Sequence, residues 1–448
     1  MKSLQIDQLY EIFLRQEGCV TTDSRAPQQG AVFFALSGER FNGNSFAAQA
    51  LANGCSYVVV DDVEALPAES CDDPRYLLTD SVLRCLQALA TLHRQTLGTR
   101  LIGITGTNGK TTTKELLSAV LRKRYNVLAT EGNLNNHIGV PLTLLKLRSE
   151  HELGIIEMGA SRVGDIRELA EIAQPDYGLI TNVGRAHLEG FGSFEGVIRT
   201  KGELFDWARE QGGQVFVNPC AAELMQMASG LNLVRYVDGS LVGQDERLSF
   251  EWQGGVCRTQ LIGDYNLDNA LAAATIGLHF GVSLTDINAA IEEYMPQNGR
   301  SQRKQTARNT LIIDAYNANP TSMRASLESF ARVKASLKGV ILGAMRELGE
   351  ETDAEHATVV HYVDTLGFER VIYVGEEFKK AVEELPREAV VALTKDIEEE
   401  KKKRGVVEWY PNVEELKARF TAEGAPMGYT LLLKGSNSIR LTELIDML

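Results

Sequence analysis

Several absences narrow what this chain can be. Its six cysteines, Cys19, Cys55, Cys71, Cys85, Cys220 and Cys257, are scattered, with no Cys-x-x-Cys pair and no metal-ligand spacing. A chain of 448 residues has core enough to do without disulfide staples, so these read as reduced thiols of a cytosol. The start, Met1-Lys2-Ser3-Leu4-Gln5-Ile6-Asp7, has no apolar run of signal-peptide length, and no uninterrupted apolar stretch is long enough to span a bilayer. A cytoplasmic protein without membrane insertion is therefore expected. Bases are also in deficit, with 46 Lys and Arg against 60 Asp and Glu and a formal net charge of −14. That balance excludes a nucleic-acid or anionic-membrane surface, and any phosphate recognition has to come from local loops. Internal repeats and low-complexity linkers are missing too.

What is present points to about three α/β domains, because the length exceeds what one core usually organises and 44% of residues are hydrophobic. Residues 1–80 read as a small mixed α/β domain: a helix near Ile6 to Gln16, strands Ala31–Leu36 and Tyr57–Val60, and a helical Phe46 to Asn53 between them. Residues 81–298 open with a helix, Ser81 to Leu97. Strands at Leu101–Thr105, Leu153–Glu157, Tyr177–Asn182, Gln214–Asn218 and Val234–Val237 then alternate with helices, as in a P-loop ATPase-like parallel sheet. Arg247–Trp252 and Val256–Leu261 flank Gln253-Gly254-Gly255 and predict an antiparallel hairpin at that sheet's edge, followed by a buried helix Leu267–Phe280. In residues 299–448 the βα rhythm restarts, with strands Thr310–Asp314, Gly339–Leu342, Arg370–Val374 and Tyr429–Leu433, a Rossmann-like second doubly wound domain. The run Glu398 to Arg404, acids ahead of bases, reads as a solvated helix.

The chemistry centres on Gly103-Ile104-Thr105-Gly106-Thr107-Asn108-Gly109-Lys110-Thr111-Thr112. An apolar strand precedes it, and Leu116, Leu117, Val120 and Leu121 follow at helical spacing. Ile104 stands where the strict Walker pattern has glycine, so the match is to Gly106-x-x-Gly109-Lys110-Thr111. Such a turn lets backbone N–H groups converge on a phosphate at a helix N-terminus, with Lys110 on the terminal phosphates and the Thr111 hydroxyl available to Mg²⁺. Three further polar residues lie at strand ends or loops where a parallel sheet presents ligands: Glu157, His187 and Lys201. A carboxylate and an imidazole can hold a divalent metal beside a nucleotide. Each residue alone also has an ordinary explanation: a solvated strand-end glutamate, a hydrogen-bonding histidine, a helix-end lysine.

Taken together these segments resemble the Mur ligases, the ATP-dependent amide-forming family of peptidoglycan precursor synthesis. The signatures are Thr105 to Thr112, Asn133 to Pro141, Glu157-Met158-Gly159, Ala186 to Gly192, Lys201-Gly202-Glu203, Asn269 to Ala273 and Tyr316-Asn317-Ala318-Asn319-Pro320, and the likeness runs from Thr22-Asp23-Ser24-Arg25 to Lys434-Gly435-Ser436. The Tyr316 to Pro320 motif points to the dipeptide-adding branch, and the Asp-Asn-Pro-Arg motif of the sibling that adds meso-diaminopimelate is absent.

The resemblance implies ATP on Gly106, Thr107, Asn108, Gly109, Lys110, Thr111 and Thr112, with Asn269 at the adenine, Arg300 at the phosphates and Asp314 at the ribose. It implies two Mg²⁺, one held by Thr111 and Glu157 and a second by His187, with Lys201 carbamylated by CO₂ so that it ligates or orients the metals as an anion. Lys110, Glu157, His187 and Lys201 are the implied catalytic set. Ser24, Arg25, Asn42, Asn135 and Asn136 would bind the UDP-MurNAc-tripeptide, while Tyr316, Asn317, Asn319, Lys434 and Ser436 would bind D-Ala-D-Ala. Arg440 is expected to supply the charge lost where Asn437 replaces the family's arginine. Ile313, Ala344 and Tyr265 also depart from the family pattern, Tyr265 standing where a histidine usually precedes Asn266. The family default is a monomer, with no redox or organic cofactor. The competing readings are a sibling ligase adding a single amino acid, a folylpolyglutamate synthase, and a P-loop ATPase switch.

Overall fold

The computed structural model describes residues 4–26, 29–186, 188–243, 246–297, 299–385 and 405–448. The charged run Glu398 to Arg404 and His187 lie outside the described residues. Four sheets organise the rest.

The first is parallel, β1 (Val20–Thr21), β2 (Val32–Phe34), β3 (Tyr57–Val60) and β4 (Tyr76–Leu78), in the order β1-β2-β3-β4. Its apolar residues alternate between faces, as a strand's period of two requires. Phe33, Val58 and Val60 join one cluster with Ala47 and Ala50 of the helix Ala47–Ala52. Val32, Phe34 and Val59 face the opposite way, into a cluster with Leu9 and Phe13 of the helix Ile6–Arg15 and Leu86 and Leu89 of the helix Val82–Leu97. That second cluster continues without a break into Leu101, Ile156 and Ile180 of the central sheet. The helix Val82–Leu97, begun by the Ser81 hydroxyl accepting from Arg84 N and ended by Gly98 at φ 64°, therefore belongs to both cores. One glycine here is irreplaceable on steric grounds. A Cβ on buried Gly43 would overlap the Leu36 carbonyl oxygen and stand 2.6 Å from the carbonyl carbon of Ala35. Backbone cannot yield as a flexible side chain does, so Gly43→Ala is expected to cost about 1–3 kcal/mol, read as a lower urea midpoint at unchanged slope.

The central sheet is parallel throughout: β5 (Arg100–Thr105), β6 (Val127–Ala129), β7 (Leu153–Glu157), β8 (Tyr177–Ile180), β9 (Gln214–Val217) and β10 (Asn232–Arg235), ordered β10-β9-β8-β5-β7-β6. Strand order reverses at β5, the place where such sheets leave a crevice for ligands. The register sets Ile104 beside Glu157 and Thr105 beside Ile180, which brings the turn after β5 next to the carboxyl ends of both neighbours.

The predicted hairpin is present but does not extend the central sheet. β12 (Arg247–Trp252) and β13 (Gly255–Ile262) form, with β11 (Gly239–Leu241), a separate antiparallel sheet of three strands. Leu248, Phe250 and Trp252 alternate with more exposed neighbours, so the strand has one apolar face. That face is buried against the helix Leu267–His279 and Leu116, Leu117 and Val120 of the helix Lys110–Leu121; a one-faced strand of this kind is stabilised by a covering helix rather than by a further ladder.

The C-terminal sheet is β14 (Gln302–Gln305), β15 (Thr310–Asp314), β16 (Lys338–Gly343), β17 (Arg370–Val374), β18 (Val406–Tyr410) and β19 (Thr430–Lys434), ordered β14-β15-β19-β16-β17-β18. Only the β14–β15 pairing is antiparallel; the remainder is doubly wound, with its own core. Among the described residues no helix is long and apolar enough to cross a membrane.

Candidate active site

The turn from β5 into the helix Lys110–Leu121 has the backbone of a phosphate cradle. Gly106 has φ 145° and Gly109 φ 79°. A Cβ at Gly106 would overlap the Thr181 hydroxyl, and one at Gly109 would stand 2.5 Å from Asn269 Oδ1; both positions need glycine for reach as well as for φ. The segment after β8 pins the loop in place. Thr107 N donates to Asn182 O (3.0 Å), Asn108 N to Asn182 Oδ1 (2.9 Å), and the Thr181 hydroxyl to Asn108 O (2.6 Å). Lys110 folds over the turn, its Nζ donating to the carbonyl oxygens of Gly106 (2.6 Å) and Thr107 (3.1 Å). Burial lowers the Lys110 pKa to about 8, with Glu157 opposing the shift and Arg300 adding to it.

Glu157, the last residue of β7, is buried beneath this turn. Its Oε1 accepts from the Thr111 hydroxyl (3.2 Å) and from Asn135 Nδ2 (2.8 Å). Its Oε2 is buried without a hydrogen-bond partner. A carboxylate oxygen so placed calls for a cation, because a buried unpaired charge is costly. The hard oxygen donors of Thr111 and Glu157 suit Mg²⁺, which takes few protein carboxylates and completes its shell with phosphate and water. The described residues contain no cluster of three or more His, Cys, Asp or Glu side chains that could hold a metal.

Lys201 is carried, buried, on the helix Phe194–Gln211, its Nζ 5.5 Å from the centre of the Phe191 ring. Burial first, and the charge of Lys110 second, lower its pKa to about 7, with Asp165 and Glu203 opposing. An amine held near neutrality can react with CO₂, so the environment fits a carbamate.

The loop opens into a cleft of about 630 Å³ between the central and C-terminal sheets. Across it stand Arg300, Asp314, Tyr316, Asn317 and Lys434. Lys434 Nζ lies 2.9 Å from Asp314 Oδ2 and donates to Asn317 O at 2.8 Å, and the Ser326 hydroxyl donates to the same Asp314 oxygen at 2.7 Å. The Arg300 guanidinium lies 3.9 Å over the Tyr316 ring.

Several of the expected residues also make contacts within the protein. Asn269 Oδ1 accepts the Thr113 hydroxyl (3.0 Å) and its Nδ2 donates to Asn266 Oδ1 (2.9 Å), so Asn269 braces the loop from beneath Gly109 and keeps one N–H for a base. Asn319 caps the helix Pro320–Arg332 and donates from Nδ2 to Asn108 Oδ1 (2.8 Å), tying the phosphate loop to the C-terminal domain. Ser436 is buried but does not line the cleft. Arg440, at φ 60°, closes the 3₁₀ turn Asn437–Ile439 with its N–H donating to Asn437 O at 3.0 Å, one helical turn beyond Asn437 as expected. Its side chain pairs with Glu414 and Glu443 and does not line the cleft.

Asn135 and Asn136 line the cleft beside Glu157, with Asn136 Oδ1 accepting from Ile138 N and Gly139 N. Ser24, Arg25 and Asn42 stay in the N-terminal domain, outside that cleft. Arg25 is held by Asp23 (2.9 Å), and Asn42 Nδ2 donates to Asp62 (2.7 Å). Asn182, Ser161 and Asp165 line the cleft without having been singled out from the sequence. Asn182 follows the carboxyl end of β8, so the rule that points to Glu157 also finds it.

A strand–loop–helix phosphate cradle with a buried half-satisfied carboxylate, facing a second doubly wound domain across a cleft, defines a nucleotide-dependent phosphoryl-transfer enzyme. Family models named Mur ligase family, catalytic domain; Mur ligase middle domain; and Mur ligase, glutamate ligase domain match residues 18–94, 104–277 and 299–437. The chain belongs to the Mur ligase family and is an ATP-dependent ligase. It is 33% identical over 438 residues to the UDP-N-acetylmuramoyl-tripeptide--D-alanyl-D-alanine ligase of Bacillus subtilis, covering 95% of this chain and 92% of the relative. The Escherichia coli ligase of the same name is 34% identical over 380 residues, covering 80% and 81%. The crystal structure of MurF from Acinetobacter baumannii superposes with a TM-score of 0.80 at 29% identity, covering 97% of each chain.

Proposed function

We propose that this chain adds D-alanyl-D-alanine to UDP-N-acetylmuramoyl-tripeptide with ATP, yielding the pentapeptide precursor of peptidoglycan. The observation that carries the reading is the likeness to ligases of that name along nearly the whole chain, the C-terminal domain included. The terminal carboxylate of the tripeptide attacks the γ-phosphate, breaking its bond to the ADP oxygen and forming an acyl phosphate. The dipeptide amine then attacks the acyl carbon, forming the C–N bond, releasing phosphate and losing a proton. A carboxylate is a poor acyl donor, and phosphorylation supplies the leaving group that it lacks.

Lys110 leaves its two carbonyl partners to meet the terminal phosphates, while the loop N–H groups hold the oxygens that gain charge. Thr111 and Glu157 would hold one Mg²⁺, His187 would contribute to a second, and Lys201 would take part as its carbamate. Bound Mg²⁺ neutralises charge spreading over the transferring phosphoryl. Asn269, Arg300 and Asp314 receive the nucleotide, Ser24, Arg25, Asn42, Asn135 and Asn136 the UDP substrate, and Tyr316, Asn317 and Lys434 the dipeptide. Closure across the Asn108–Asn319 contact keeps water from the acyl phosphate. We place the enzyme in the cytoplasm as a monomer.

The test is mass spectrometry after incubation with ATP, Mg²⁺, D-Ala-D-Ala and tripeptides ending in L-Lys or meso-diaminopimelate. A pentapeptide with one ADP per amide is expected. ADP released without either peptide, or amide formed only with a single amino acid or glutamate, would favour the switch or sibling readings instead.

A further inference from the structure

The domain linker is fastened to the nucleotide-binding domain at one turn. Ser301 is buried and has φ 47°, a conformation that a residue with a side chain rarely holds unless its surroundings impose it. What surrounds it is the 3₁₀ turn Asp264–Asn266 at the start of the helix Leu267–His279. Tyr265 Oη lies 2.8 Å from Ser301 Oγ, and Asn266 Nδ2 lies 3.4 Å from the same oxygen. The turn is shaped for this contact: a Cβ on Gly263, at φ 95°, would overlap the Tyr265 ring. Asp264 accepts from Arg332 at 2.6 Å, so consecutive residues of one turn grip the C-terminal domain and its linker.

The same turn is wired to the phosphate loop, since Asn266 Oδ1 accepts from Asn269, whose own oxygen accepts from Thr113 in the second turn of the phosphate-loop helix. Arg300, the neighbour of Ser301 in the chain, is stacked on Tyr316 in the cleft wall. Arg300 has no regular element of its own to orient it; its backbone is set by Ser301 on one side and by Gly299, whose carbonyl accepts from Ala315 N at 3.0 Å, on the other.

We propose that Tyr265 is a positioning residue of the ligase reaction: its phenol seats the Ser301 hydroxyl and so holds Arg300 where it meets the nucleotide phosphates. The proposal rests on the reading of Arg300 given above. Tyr265 itself lines the cleft; the effect proposed for it on nucleotide affinity runs through the Ser301 hydroxyl and the linker, which is why the double variant is part of the test.

The test compares the wild type with Tyr265→Phe, Ser301→Ala, Ser301→Gly, Arg300→Ala and the Tyr265→Phe/Ser301→Ala double variant. ATP is varied in the ligase assay, and ADP binding is followed by calorimetry, which requires no amide product. Loss of one hydrogen bond in the seat is expected to raise KM for ATP and Kd for ADP by about three- to tenfold, with a smaller fall in kcat. Ser301→Gly should match Ser301→Ala, because the hydroxyl and not the left-handed backbone is what Tyr265 uses. The double variant should be no worse than either single one, as partners in one contact are not additive. Unchanged ADP affinity in Tyr265→Phe, wild-type behaviour of Ser301→Gly, or a double effect equal to the product of the singles overturns the proposal. Normal affinity in Arg300→Ala overturns it too, while leaving the ligase function intact. Absence of pentapeptide from the wild type counts against the function alone, since the calorimetric comparison still decides the seat.

Discussion

Glu157→Gln is expected to lower kcat by about three orders of magnitude at saturating substrates, and to move half-activation to much higher Mg²⁺. The substitution separates charge from shape. Glutamine keeps the oxygen that accepts from Thr111 and Asn135, so the local hydrogen bonds survive. It replaces the buried, unpartnered Oε2 with an amide N–H₂, which cannot ligate a cation. It also removes the carboxylate whose field opposes the downward shift of Lys110. More Lys110 would then be neutral at pH 8, which weakens its grip on a phosphate for a second reason. Steady-state rates across a Mg²⁺ titration, with thermal melting as the check on folding, measure the effect. A kcat within tenfold of wild type at ordinary Mg²⁺ would mean that Glu157 is a structural acceptor for Thr111 and Asn135 and nothing more.

The parts of the site that were legible in the sequence share one property: they are local. Residues 103–112 carry strand, turn and helix in one stretch, and Glu157 closes an apolar run whose predicted and observed bounds agree, Leu153–Glu157. Tyr57–Val60, Thr310–Asp314 and Arg370–Val374 are equally faithful, each a short β-branched or apolar run between polar turns. What escaped is set by partners far along the chain. β14, Gln302–Gln305, is polar and largely exposed; it is a strand because β15 offers it an edge. β10 begins at Asn232, two residues before the apolar Val234 that suggested it, because β9 pairs its polar start as well. The bracing of Gly109 by Asn269 and the bond from Asn319 to Asn108 span 160 and 211 residues of sequence, and no spacing rule reaches that far. The pairing of Arg440 with Glu414, 26 residues away, is likewise a matter of the fold, whereas its second partner Glu443 is only a turn away in sequence. Tyr265 stood out in the sequence only as a departure, and its contact with Ser301 is what gives that departure a physical meaning.

Lys201→Arg should abolish turnover, with a loss of at least about a thousandfold, although arginine preserves charge and length. A permanent cation at this position would stand in the field of Lys110 and repel the metal charge that Glu157 attracts. Lysine can escape that conflict because its pKa, lowered to about 7 by burial and by Lys110, leaves the amine largely neutral at pH 8. A neutral amine reacts with CO₂ to give a carbamate and a proton, exchanging a cation for an anion; a guanidinium, charged at every accessible pH, cannot. The sign of the pH response follows. Below pH 7 the amine binds a proton, carbamate is lost, and activity falls; above it, activity depends on dissolved CO₂. Enzyme stripped of CO₂ at pH 8 should therefore lose activity and recover it on adding bicarbonate, and ¹³C-bicarbonate should give a carbamate resonance that is absent from Lys201→Arg. Wild-type turnover in Lys201→Arg, or a stripped enzyme that is fully active and carries no label, would leave Lys201 as a buried structural amine stacked on Phe191 and would remove the carbamate from the mechanism.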